Sequence, residues 1–170
     1  AQASIHEALC SWRDQPEVAA LLDQIASFAK GHPIGGLPAL AALFEQGHPA
    51  ASRLTADFAT KASRSLGAAP LGRLPMRHHA DGSSATLLLA RSGNVSLSLA
   101  AIDGSAMAGQ AAPLSVSFGP MQAWEHVLAG AATAELIECC PAGPQSAELR
   151  RQAVTLRPGS ILCREGARQA

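Results

Sequence analysis

ATLLLARSGNVSLSLAAI, residues 85–102, decides how the chain is read. Val95, Leu97 and Leu99 alternate with Ser96 and Ser98, which is the two-residue period of a strand with one face buried and one wet. The apolar run ATLLLAR is joined to it by Ser92-Gly93-Asn94, a turn tripeptide, so the two segments are expected to pair as a hairpin. Asn94 is expected to supply left-handed backbone geometry there, a turn role that is preferred over the glycosylation pattern Asn94-Val95-Ser96. The same alternation recurs where Leu114, Val116 and Phe118 intersperse with Ser115 and Ser117. Further strands are expected near 123–129, 133–140, 152–157 and 160–163.

Upstream the period changes. From residue 3 to about 66 apolar residues recur at helical spacing. In DQPEVAALLDQIASFAKG, Asp14 can cap, Pro16 suits the first turn, and Val18, Leu21, Leu22, Ile25 and Phe28 share a face that Gly31 ends. A second helix is expected over 38–46, with Leu40, Leu43 and Phe44 apolar. A third runs over 50–66, with Leu54, Phe58, Ala62 and Leu66 in four-residue steps. GHP occurs at 31–33 and again at 47–49, each a helix stop followed by a restart. GAAPLGRLP, residues 67–75, then punctuates the chain with two prolines and two glycines. The expected class is α+β: a three-helix segment over 1–66, a linker over 67–75, and an antiparallel β-sandwich or barrel over 76–170.

That order of elements, with WEHVLAGAATAELIE and then VTLRPGSIL, resembles the cupin-type jelly roll, in which a strand, glycine turn, strand unit and a later PG turn recur. The resemblance spans residues 76–163 and is architectural. The metal motif of that family sets two histidines two apart before a glutamate, and this sequence has no such HxH pair.

Composition narrows the function. Lys+Arg and Asp+Glu are both 13, with five basic against six acidic residues before Pro70 and eight against seven after it. Neither part has the positive excess that a phosphate backbone demands. With no tyrosine, four Phe and two Trp, base-stacking platforms are poorly supplied. Apolar runs such as 87–90 fall far short of the roughly 20 residues needed to span a bilayer. The opening AQAS has no charged and apolar leader pattern. Cys10, the adjacent Cys139 and Cys140, and Cys163 do not form a spaced disulfide framework, so reduced thiols in the cytoplasm are expected.

Candidate chemistry sits in two places. In MRHHADG, residues 76–82, a strand would turn His78 and His79 to opposite faces, and Asp81-Gly82 signals a turn, so the pair reads as a decorated turn approach. In AWEHVLAG, Trp124, His126 and Leu128 share one face and Glu125 and Val127 the other, which makes His126 with Trp124 the expected ligand contact. Cys139-Cys140 lacks the C-x₂₋₄-C step of zinc sites and reads as small hydrophobes, while Glu125, Glu135 and Glu138 read as a solvated face. No nucleophile elbow, P-loop, dinucleotide fingerprint or HExxH occurs.

The expectation is a non-catalytic ligand- or partner-binding regulatory protein with a cupin-like sensor, forming a homodimer and using no cofactor. The alternative is a metal-dependent cupin-type enzyme holding a divalent metal through His126 with His78 or His79. A DNA-binding regulator is the second alternative, disfavoured by a net charge of −1 before Pro70 (five basic minus six acidic residues).

Overall fold

The computed structural model describes residues 2–111, 115–143 and 146–166. Helix α1 spans Gln2–Arg13, α2 Pro16–Ala29, α3 Pro38–Ala41 and α4 Ala50–Ala68, with a short α5 at Gly104–Ala108. The strands are β1 (His78–Ala80), β2 (Ser84–Ser92), β3 (Val95–Ile102), β4 (Ala123–His126), β5 (Ala132–Gly143), β6 (Ser146–Leu156) and β7 (Ile161–Arg164). They form three small antiparallel sheets, in the orders β1-β2-β3, β4-β7 and β5-β6. The protein is α+β. Among the described residues no closed barrel or jelly-roll sandwich is assembled. Local alternation predicts strands, but closing a barrel depends on pairings between distant segments that local patterns do not encode.

By contacts the chain forms two compact units, Ala1–Leu43 with His48–Ala108, and Phe44–Gly47 with Gly109–Ala170. The hairpin of β2 and β3 thus belongs with the helices, and neither unit boundary falls at 67–75. That segment is strapped down. Gln2 pairs with the backbone of Arg73 in both directions, Nε2 donating to its carbonyl at 2.8 Å and Oε1 accepting from its N–H at 3.1 Å. Ala69 is buried and Leu74 packs against the core, while Leu71 projects into solvent.

The first unit contains the core. Ile5, Leu9 and Trp12 recur at helical spacing and are all buried, making α1 a helix of its own that the three-helix reading omits. Leu9, Trp12, Val18, Phe58, Ala62, Met76 and Leu89 form one cluster, with Leu87, Leu97 and Leu99 of the sheet packed against it. Trp12 meets Phe58 edge to face at a centroid separation of 5.0 Å. Asp14 does not cap α2. Its N–H closes α1 on the Cys10 carbonyl, and Gln15 is the N-cap residue, making no side-chain capping bond and with proline at the helix start. The helix expected over 38–46 is a single α-turn followed by a 3-10 turn at Ala42–Phe44. Three residues per turn keeps Leu40 and Leu43, both buried, on one side. Gln24 Oε1 accepts from the Leu40 N–H, tying this piece to α2. Gly31 and Gly47 of the two GHP stops both have positive φ, as a helix exit requires.

Two strand expectations are revised. In the β2–β3 turn Gly93 takes φ +55°, and among the described residues no non-glycine residue has positive φ, so Gly93 rather than Asn94 carries the left-handed geometry. Val116 and Phe118 lie in irregular chain, half-buried between exposed serines, because no strand pairs with them; Leu114 lies outside the described residues.

Candidate functional site

β4 and β7 run antiparallel with Trp124 opposite Cys163 and His126 opposite Ile161. Directly opposed residues share a face, so Trp124, His126, Cys163 and Ile161 lie on one side. Ala123, Glu125, Leu162 and Arg164 lie on the other, where Glu125 and Arg164 form an ion pair. Trp124 and His126 are half-buried. The ladder extends one step, with Val127 and Ser160 joined at 2.9 Å, so Leu128 falls past the strand rather than on its face.

His78 and His79 are exposed on β1, opposite Leu87 and Thr86 respectively, and therefore on opposite faces. The turn beyond them is organised by Asp81. Its Oδ1 accepts from the N–H groups of Ser83 at 2.8 Å and Ser84 at 2.7 Å, and its Oδ2 accepts from the Ser84 hydroxyl at 3.0 Å. The backbone N–H of Ser83 foremost, then that of Ser84, lowers the Asp81 pKa to about 2. The carboxylate is thus committed to shaping a turn. His78 and His79 belong to the first compact unit and His126 to the second. Among the described residues, no group of three or more His, Cys, Asp or Glu side chains could hold a metal ion. Cys139 and Cys140 are half-buried on opposite faces of β5, and all four cysteines are free. Of the glutamates read as a solvated face, Glu125 pairs with Arg164, and Glu135 lies 3.5 Å from Arg151 across the β5–β6 ribbon.

Two concavities lie on the first unit. A small one of about 200 Å³ is lined by Arg77, His78, His79, Thr86 and Leu88. A larger one of about 340 Å³ is lined by Arg13, Arg77 and Arg91 together with apolar groups that include Met76, Leu88 and Leu89. Sequence reasoning did not reach these arginines, and the register explains why. Strict alternation from Thr86 and Leu88 would turn Arg91 to the core face. A bulge between Leu88 and Ala90 sets Leu89 and Ala90 against Leu97 alone, which shifts the phase so that Arg91, opposite Ser96, shares the outer face with Leu88. The signal was present in Leu87–Ala90, an apolar run too long for an unbroken period of two.

No family model, curated protein or solved structure matches the chain. Among the described residues no helix is long and apolar enough to cross a membrane.

Proposed function

We propose that the protein is a non-catalytic, cytoplasmic binding or regulatory protein whose C-terminal strands act as a cupin-like sensor, with Trp124 and His126 contacting a small ligand. The observation that supports this reading is the segregation of faces in the β4–β7 pair. One side carries an aromatic plane beside an imidazole, both half-buried, and the other carries the Glu125–Arg164 ion pair. A flat apolar surface next to a donor and acceptor suits a small, weakly polar molecule. The protein acts as a homodimer joined through its helices or sheet edges, which present unpaired backbone groups.

The test is the melting temperature of the wild type and His126→Leu with a panel of metabolites and divalent metals. The reading expects a compound that stabilises the wild type but not His126→Leu, while Ser96→Ala, on an outward strand position, keeps the full response. Stoichiometric metal in the purified protein, lost on His126→Ala, would replace it with the metal-enzyme reading through His126 with His78 or His79. A monomeric mass at tens of micromolar, well above the range of ordinary stable dimers, would remove the dimer.

A further inference from the structure

We propose that the groove lined by Arg13, Arg77 and Arg91 binds a phosphate monoester with a small apolar body. This is a site apart from Trp124 and His126, on other elements, and it stands on its own geometry.

Three cations line one groove of about 340 Å³, a volume within the range of small-molecule pockets. None of the three is ion-paired among the described residues. Arg91 donates from Nε to the Gly93 carbonyl at 3.3 Å, and no bond from its terminal nitrogens is found among the described residues. Arg13 has a structural reason for its place, since it ends α1 where the helix dipole favours a cation. Arg77 has none, and Arg91 spends only its Nε on the hairpin turn; both extend the outer face of the sheet, which Arg91 reaches only through the bulge. Among the described residues no acidic side chain lines the groove. Asp81 is bonded to the Ser83–Ser84 turn and Asp103 to the start of α5, through the N–H groups of Ser105 at 2.9 Å and Ala106 at 3.2 Å. Like charges gathered without a counter-charge repel, and an anion removes the repulsion.

The form of the anion follows from the lining. A carboxylate brings one charge and two acceptor oxygens, whereas a phosphate monoester brings about −1.5 to −2 and three, closer to what three guanidinium forks can engage. Arginine rather than lysine at all three positions favours planar, paired hydrogen bonds to such oxygens. Pro75 and Leu88, which keep exposed surface, give the groove apolar wall, so the ester carries hydrocarbon rather than a second charged group.

Phenyl phosphate is the probe, compared by titration calorimetry with inorganic phosphate and with benzoate. Phenyl phosphate is expected to bind one to one, about tenfold more tightly than either comparator, since each loses either the apolar contact or the charge-assisted bonds. Arg77→Gln and Arg91→Gln, checked for folding by circular dichroism, should each weaken binding about tenfold or more. Arg53→Gln, on α4 and outside the groove lining, should not change it. Arg77→Lys should fall between wild type and Arg77→Gln. The proposal is overturned if phenyl phosphate shows no saturable binding, if benzoate binds equally well, or if both glutamine variants fold and bind like the wild type. Should one variant fail to fold, the other decides.

Discussion

Gly72 is a glycine for lack of room rather than for backbone freedom. A Cβ there would collide with Cδ1 of Ile5, which is completely buried, and would come within 2.9 Å of the Ala69 carbonyl oxygen. The backbone oxygen is held by its own bond from the Gly72 N–H at 2.7 Å, so it cannot yield. Gly72→Ala should therefore cost about 1–3 kcal/mol, as overpacking does, measurable as a shifted urea midpoint. An unchanged midpoint would mean that α1 moves freely against the 67–75 strap. Asp81 makes a prediction of another kind. Its pKa is lowered in the folded chain from 3.8 to about 2, so the turn it organises adds stability above pH 4 that is lost as pH falls through about 2. Asp81→Ala should be less stable than wild type at pH 6, and the gap should narrow towards pH 2. A gap of constant size across that range would show that the carboxylate is not what holds the turn.

Elements differ in how far their sequences announce them. The stop of α2 was legible because Gly31 supplies a backbone conformation few residues reach, and the β2–β3 hairpin because Leu97 and Leu99 alternate with serines. The shared face of Trp124 and His126 was legible for the same reason of parity. Parity also misled, since Val116 and Phe118 alternate correctly but meet no neighbouring strand, and Asp14 offered a cap that α1 had already taken as its own last turn. The groove was hidden because a single extra residue in β2 reverses the facing of everything after it. Deleting Leu89 should restore regular alternation, leaving Ala90 opposite Leu97 as now but removing the best-buried side chain of the sheet from the core. Loss of a buried leucine typically costs about 2–5 kcal/mol, so the deletion should lower the melting temperature sharply, while deleting Gly82 in the exposed turn should do less. Equal effects of the two deletions would argue that the bulge is incidental.

Across the whole molecule the burial is uneven. Every buried hydrophobic side chain from Ile5 to Leu89 belongs to the first unit, and among the residues from 109 onward whose burial is described none is fully buried. The strands of the second unit are paired singly, β4 with β7 and β5 with β6, an arrangement that is marginal on its own in water. Its ladders also leave one edge of each strand without a partner among the described residues. The consequence is a gradient in how readily backbone protons trade with deuterium. Amides of α1, α2, α4 and β2 should persist longest, exchanging only when the first unit opens as a whole, while those of β4 to β7 should exchange through small local openings. A molecule that seats against Trp124 and His126 would then show itself first as slowed exchange in β4 and β7, with the helices unchanged. Uniform protection along the chain would mean that the C-terminal strands draw their stability from the same cooperative event as the helical core.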